Sequence, residues 1–318
     1  MGITLQSEAL VLDQDRIGVE QTGGVLILDK PEGLTSARAA AKIKKLLTPR
    51  KIGHTGTLDP FATGVLVLCL NEATRAADQI TKLNKVYKST LRFGIETDSL
   101  DRTGKVTRQS ALTFCEKDLI EVLQTFSGAC VQTVPRFSAV RVDGHRLYEL
   151  SRRGIEVERP ERNIFIHSIV LHSFEWPEAA IEVCCSKGTY IRQLASDIGQ
   201  KLGSGAHLSA LRRTSVGPFT LERAIRMDGG TCAESAAAAI IPLNEALSHL
   251  PTALMVDEKF LGRLRNGQLD PEWEKKQREC SRTCSDAVRI VTATNQLAAL
   301  WWPNSAQSGS RRLRVFPF

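Results

Sequence analysis

Asp59 stands in a loop rich in turn-forming residues, Gly53-His54-Thr55-Gly56-Thr57-Leu58-Asp59-Pro60-Phe61-Ala62-Thr63-Gly64, and the apolar run Val65–Leu70 follows at once. Glycines let the backbone turn sharply or approach a ligand closely. Pro60 fixes its own φ and drives Asp59 toward an extended conformation. A carboxylate held at the mouth of a buried strand suits a nucleophile or a general base. The same Asp-Pro pair also suits an ordinary turn whose aspartate caps the backbone. Arg192, in Lys187-Gly188-Thr189-Tyr190-Ile191-Arg192, opens an amphipathic helix. Next to Asp59 its guanidinium would orient the carboxylate; otherwise it is a surface residue. The chain has 3 tyrosines, Tyr87, Tyr148 and Tyr190. Tyr87 lies in a strand-like segment, where it would either face the core or stack on a base, an interaction worth about 1–3 kcal/mol per base. His54 could serve as a base or as a local hydrogen-bonding group.

Other chemistries find no support. Asp98-x-x-Asp101-x-x-Gly104 lacks the alternating ligands and terminal glutamate of a calcium loop. Neither a P-loop nor a dinucleotide fingerprint occurs. No motif places a second catalytic carboxylate, which argues against a glycosidase pair. Cys280 and Cys284 have no nearby histidine or second cysteine pair to complete a zinc set. The 8 cysteines read as reduced structural thiols.

The elements that must position these groups follow from pattern. Gly24–Asp29 reads as a strand broken by Lys30-Pro31-Glu32-Gly33. Thr35 or Ser36 can cap a helix running to Leu47, with Ala39, Ala40, Ile43, Leu46 and Leu47 on one face and Arg38, Lys42, Lys44 and Lys45 on the other. That basic face is either solvated or phosphate-contacting. Val86–Phe93 alternates as a strand with Tyr87, Ser89, Leu91 and Phe93 on one side. Leu119–Phe126 has helical spacing, Asn163–Phe174 and Ala180–Ser186 read as strands, and Ile191, Leu194, Ile198 and Leu202 form a helical stripe ending at Gly203. Pro135–Gly154, rich in Arg and Gly, reads as a long mobile insertion of the kind used as a lid or binding loop. Beyond Pro251 a polar, charged stretch over 271–284 precedes short strand-like pieces at Ala287–Thr292, Leu297–Trp302 and Arg312–Phe316, which predicts a small β domain.

Length and composition set the outer bounds. The 318 residues suggest about two domains. Hydrophobic residues make up 42%, and no apolar run approaches the ~20 residues of a spanning helix. The N-terminal MGITLQSEAL has no basic stretch leading into an apolar one, and Gln6 stands where a myristoylation signal needs Ser or Thr. A cytoplasmic protein without membrane attachment is expected. Net charge +7 and pI near 9.0 permit a polyanionic partner without demanding one.

G-H-T-G-x-L-D-P-x-A-T-G-V-L over Gly53–Leu66 closely resembles the catalytic motif of the TruB family of tRNA pseudouridine synthases. Lys187–Arg192 with Leu194 resembles a second motif of that family, and Lys85–Lys88 and Leu211-Arg212-Arg213-Thr214 resemble two more. Residues about 23–250 are covered, with the motifs in the family's order. Thr57 and Phe61 stand where the family usually carries Ala and often Leu. The resemblance implies an α+β fold with a central, largely antiparallel mixed sheet and an active-site cleft. It implies Asp59 as the catalytic aspartate, Arg192 as its ion-pair partner, Tyr87 as the residue stacked on the target uracil, and Tyr190, Leu211 and Lys30 as pocket supports. His54 matches the residue that fills the space left by the flipped nucleotide. Asp98–Gly104 fits the family's T-D-x-x-D-x-x-G element. Pro135–Gly154, within an insertion of about 135–163, is similar to the family's RNA-gripping segment, departing at Val134, Phe137 and Arg141. Arg141, Arg152 and Arg153 there, with Lys42 and Lys45, are the expected RNA contacts. Gly262–Gly267 and Arg311–Val315 more weakly resemble a PUA domain, a small RNA-binding pseudo-barrel. The implied organisation is an extension over 1–22, a synthase domain over 23–250 and a PUA-like domain over 251–318.

The implied reaction turns uridine 55 of the tRNA TΨC arm into pseudouridine after base flipping, with no metal or cofactor. The expected partner is tRNA, handled by a monomer without a guide RNA. Two alternatives stay open: a non-catalytic tRNA-folding chaperone, and a guide-RNA-dependent synthase that shares the motifs.

Overall fold

The computed structural model describes residues 23–227, 231–255, 257–280, 287–303 and 313–317. The expected extension over 1–22 and the residues Cys284, Arg311 and Arg312 lie outside them.

The chain begins with β1 (Gly24–Lys30), α1 (Ser36–Leu47), β2 (Ile52–His54) and β3 (Thr63–Leu70). A short α2 (Ala77–Thr81) leads to β4 (Lys85–Phe93) and the hairpin β5 (Ile95–Thr97) and β6 (Val106–Gln109). Then come α3 (Glu116–Gln124), β7 (Gly128–Thr133), the small hairpin β8 (Arg141–Val142) and β9 (His145–Arg146), and α4 (Leu147–Arg152). The long β10 (Glu161–Glu175), β11 (Glu178–Cys185), α5 (Ile191–Lys201) and β12 (Ala206–Val216) complete the centre. Among the described residues the main sheet has eleven strands, with the path Ile225–Arg226, β1, β3, β12, β4, β11, β10, β7. Along this path all pairings are antiparallel except those of β1 with Ile225–Arg226 and of β3 with β12.

Local chemistry accounts for these elements. Thr35 caps α1 by accepting from Arg38 N at 3.1 Å, and the apolar stripe Ala39, Ala40, Ile43, Leu47 is buried against Leu26, Leu28, Leu66 and Leu68 of the sheet. Strand β4 buries every second residue from Lys85 to Phe93, as its alternation predicts. Tyr87 and Leu91 therefore join Ile191, Leu194 and Ile198 of α5 in one cluster with Leu58, Phe61 and Leu211. The β3–β12 pairing is short, Arg212 against Thr63 and Arg213 against Gly64. Gly64 has φ +101°, and a Cβ there would sit 2.1 Å from Arg213 O, so only glycine lets the two strands meet.

Two segments differ from the sequence reading. Pro135–Gly154 is not a bare loop. It folds as the β8–β9 hairpin, turned by Asp143 (φ 51°) and Gly144 (φ 81°), followed by α4. Two consecutive positive φ angles at Asp-Gly are the signature of a tight hairpin turn. Beyond Pro251 the strands Val288–Thr292, Leu297–Trp301 and Leu313–Val315 form a second sheet with Thr252–Met255, and two helices, Glu258–Arg265 and Pro271–Cys280, accompany them. The expectation named only strands there. Leu300 and Phe316 of this region are buried in one cluster with Val25, Val65, Ile80 and Leu247, so apolar packing runs unbroken across position 251. Arg314 pairs with Asp78 at 2.8 Å and lies over the Trp302 ring.

Candidate active site

The Asp59 loop is clamped from three sides. Ser36, at the first turn of α1, both donates to Leu58 O (3.1 Å) and accepts from Leu58 N (2.8 Å). Gly33 N donates to Pro60 O at 2.8 Å. The buried Lys30 ammonium donates to Pro31 O, Leu34 O and Pro60 O at 2.9, 2.8 and 3.3 Å. Lys30 thus ties β1 to the residue after Asp59, and it does so through backbone carbonyls.

Arg192, on the first turn of α5, is 4% exposed, and Asp59 keeps about a third of its side chain open, 32%. The guanidinium holds the carboxylate with two bonds, Nε to Oδ2 at 2.8 Å and Nη2 to Oδ1 at 3.1 Å. Nη1 donates to Ser99 O (2.8 Å) and Nη2 also donates to Phe137 O (2.9 Å). Asp101 Oδ2 lies 3.7 Å from Nε, and Asp101 Oδ1 is occupied by Ser99 Oγ, Thr103 N and Thr103 Oγ1. Each guanidinium nitrogen is engaged, so the planar fork is locked before any substrate arrives. Phe137 brings the 135–154 segment into contact with the site through its carbonyl.

Tyr87 is buried beside Leu211, and burial pushes its phenol above the usual range while the nearby Arg213 opposes that shift. Tyr190 precedes α5. Its N–H donates to Gln132 Oε1 at 2.8 Å and its carbonyl accepts from Gln132 Nε2 at 3.1 Å. His54, on β2, is half-buried, and burial together with Arg213 lowers its pKa, so its imidazole is neutral at pH 7. Its Nδ1 is buried without a hydrogen-bond partner among the described residues. Lys42, Lys45, Arg141 and Arg153 are exposed, as is Arg152, and none of them joins this cluster. Arg152 lies over the Tyr148 ring at 5.5 Å. A cavity of about 500 Å³ opens beside the Asp59 loop, lined by Phe61, Thr63, Lys88, Ser89, Leu211 and Arg212 among others, though not by Asp59 itself.

Sequence reasoning does not single out Ser36, Gln132 or Arg213 as site residues. Arg213 lies within one of the motifs, but the resemblance there points to Leu211. Gln132 carries no sequence signal, since its role is set by a neighbour 58 residues away.

Lys30 yields a pH-dependent prediction. Burial lowers its pKa from 10.5 to about 8, against the opposing pull of Asp59. Between about pH 8 and 10.5 the unfolded chain binds the proton that the folded chain has released, so this group makes stability rise with pH in that window. The stability difference between wild type and Lys30→Met, from urea midpoints, is expected to shift in favour of wild type as pH rises from about 7.5 to about 10. A difference independent of pH would refute it.

Comparison with known proteins gives this geometry its class. The fold superposes on chains from a Cbf5–Nop10–Gar1 complex (TM-score 0.65, 26% identity, 95% of this chain and 85% of that one) and from an H/ACA RNP bound to a substrate RNA containing 2′-deoxyuridine (TM-score 0.65, 26% identity, 95% and 84%). Residues 44–191 match the profile of the TruB family pseudouridylate synthase N-terminal domain, and residues 192–248 that of the tRNA pseudouridylate synthase B C-terminal domain. The fold is that of a pseudouridine synthase. Among curated relatives, tRNA pseudouridine synthase B of Syntrophobacter fumaroxidans is 51% identical over 301 residues, covering 93% of this chain and 98% of that one. The enzyme of the same name from Bordetella avium is 49% identical over 235 residues, 73% of this chain and 95% of that one. The chain belongs to the TruB family of tRNA pseudouridine synthases. Among the described residues no helix is long and apolar enough to cross a membrane.

Proposed function

We propose that this enzyme isomerises uridine 55 in the TΨC arm of tRNA, with Asp59 as nucleophile and no guide RNA. The observation that carries the reading is the two-bond grip of the buried Arg192 on Asp59, which leaves the carboxylate oriented and open on one side. Reaching an internal uridine requires flipping it from the loop, which costs a few kcal/mol. Tyr87 and Leu211 receive the flipped uracil, Tyr190 lines the pocket, and the neutral His54 enters the RNA fold in place of the nucleotide. Asp59 attacks ribose C1′ or the uracil ring. The N1–C1′ bond breaks, the base rotates, the C5–C1′ bond forms, C5 loses a proton and N1 gains one. The reaction exchanges one bond for another without net oxidation, so the protein's task is to hold, turn and deprotonate the base.

Residues 251–318 form, in this reading, a PUA-like second RNA-binding unit beside a synthase domain over 23–250. Arg314 is engaged by Asp78, so phosphate contacts there fall to other cations. The protein acts as a cytoplasmic monomer. The relatives named tRNA pseudouridine synthase B favour action on tRNA without a guide. The decisive experiment incubates purified protein with unmodified tRNA alone, follows tritium release from C5-labelled uridine and maps the product. Pseudouridine at position 55 is expected. Release only with an added guide RNA, or tRNA refolding without release, would favour the two alternatives.

The exposed Arg152 and Arg153 are proposed RNA contacts in the 135–163 segment. Replacing both by alanine is expected to weaken tRNA binding and to flatten the slope of log affinity against log salt by about 0.7–0.9 for each phosphate no longer neutralised. Turnover at saturating tRNA should stay near wild type. An unchanged slope would take these arginines off the phosphates.

A further inference from the structure

The candidate site is assembled across a seam in the main sheet. Asp59 sits in the loop that leads into β3, and β3 pairs with β1 from Gly64 to Leu70. Arg192, Tyr87 and Leu211 belong to the other side, where β12 pairs with β4 from Ala206 to Val216 and α5 packs through Ile191, Leu194 and Ile198. Between β3 and β12 the ladder is short, with Arg212 facing Thr63 and Arg213 facing Gly64. Leu58 and Phe61 of the loop add apolar contact with the far side. The Arg213 side chain crosses the seam as well. The residue is 2% exposed; Nε donates to Val65 O at 2.7 Å and Nη2 to Gly56 O at 3.0 Å. Gly56 precedes Asp59 by three residues and Val65 follows it by six. One guanidinium thus closes the base of the Asp59 loop and fastens it to β12. Burying a cation against neutral carbonyls is unfavourable unless its geometry is needed. The need here is a rigid planar donor that reaches two separate carbonyls at once.

We propose that Arg213 is a positioning residue for Asp59: by holding Gly56 O and Val65 O from β12, it sets the distance between the carboxylate and the side of the sheet that carries Arg192 and receives the base. The assignment rests on the reading above, in which Asp59 attacks a nucleotide whose uracil lies against Tyr87 and Leu211. The apex of the loop is held from α1 and β1, by Ser36 at Leu58 and by Gly33 and Lys30 at Pro60. Those bonds tie the loop to its own side of the seam. Arg213 ties its backbone to the opposite side, so that Arg192 meets a carboxylate already in place. Leu211 stands two residues before Arg213 on the same face of β12, and the brace therefore fixes that wall of the pocket against the loop.

The test is a double-mutant cycle of Arg213→Met and Arg192→Lys on tritium release in single turnovers at saturating tRNA. Each variant is assayed well below its unfolding midpoint, with the folded fraction checked by circular dichroism and tRNA affinity measured in parallel. A misplacement of about 1 Å at a reacting group costs about 10²-fold in rate. Arg213→Met is expected to fall by that amount while tRNA affinity stays within about threefold of wild type, as phosphate contacts supply most of the binding. In the Arg192→Lys background the carboxylate has already lost its fork, so Arg213→Met should cost no more than about threefold further. Arg213→Lys keeps the charge but offers a point donor on a flexible stem. It should fold and still be at least about tenfold slower than wild type, and it takes the place of Arg213→Met in the cycle should that variant fail to fold. A residue needed only for folding would lower the urea midpoint and leave the rate of the folded enzyme unchanged. That result, or effects that multiply across the cycle, or a wild-type rate in Arg213→Lys, would overturn the assignment. If wild type forms no pseudouridine in tRNA, the functional reading itself fails; if wild type is active and the Arg213 variants turn over like it, only the role of Arg213 does.

Discussion

Asp59→Asn is expected to abolish pseudouridine formation while leaving tRNA affinity within about tenfold of wild type. The amide is nearly isosteric with the carboxylate, and the loop that carries it is held by Ser36, Gly33 and Lys30 through backbone atoms of Leu58 and Pro60. None of those bonds involves the Asp59 side chain, so the course of the loop is kept, although the amide can accept only one of the two Arg192 bonds and some stability is lost with the charge pair. What changes is chemical. An amide has no anionic oxygen to attack carbon, and covalent catalysis needs that charge. The phosphate contacts that dominate affinity are untouched, and removing a negative charge beside an RNA strand does not oppose binding. Tritium release from C5-labelled tRNA, run beside a binding titration, separates the two effects. Turnover near wild type in Asp59→Asn would remove Asp59 from the chemistry altogether.

How far the sequence discloses this site depends on the range of the interaction. The α1 helix is legible because its cap and stripe are local: Thr35 bonds a residue three positions on, and Ala39, Ile43 and Leu47 repeat at helical spacing. The alternation of β4 is legible for the same reason. The hairpin inside Pro135–Gly154 escapes a sequence reading although Asp143-Gly144 is a strong turn pair, since its flanking strands are two residues each and show no period. The helix Glu258–Arg265 buries Phe260, Leu261 and Leu264, but so short a stripe in a charged stretch with a glycine inside is a faint signal. The shared cluster that joins Val25 to Phe316 depends on contacts nearly the whole chain apart, which no local pattern encodes. Arg213 is hidden for a different reason. Arginines are seldom buried, so a basic residue in a strand reads as outward-facing, and only the structure places it among carbonyls and a phenol. The pairing of Asp59 with Arg192 spans 133 positions, and no spacing argument reaches that far; its expectation comes from motif resemblance alone.

Arg192→Met is expected to lose activity by about 10²–10³-fold or more, the scale seen when a single preorganised donor is removed from a site, and to lose stability as well. Methionine approximates the aliphatic stem and fills much of the volume, so the loss is mainly of the fork. The two bonds that orient Asp59 vanish, and the carboxylate, about a third exposed, is free to rotate toward solvent. Ser99 O and Phe137 O lose their donor at the same time. A fully buried acceptor left without a partner costs about 1–3 kcal/mol, and these half-buried carbonyls cost less, so unfolding should move to somewhat lower denaturant. Because Phe137 belongs to the 135–154 segment, that segment loses a tie to α5 and should become more accessible to protease. Arg192→Lys sharpens the argument. Lysine keeps the charge but offers a point donor in place of a planar fork. It should recover part of the stability and little of the activity, since one ammonium cannot hold both carboxylate oxygens and both carbonyls at once. If the lysine variant instead turned over like wild type, charge alone would suffice and the geometry of the fork would be incidental to catalysis.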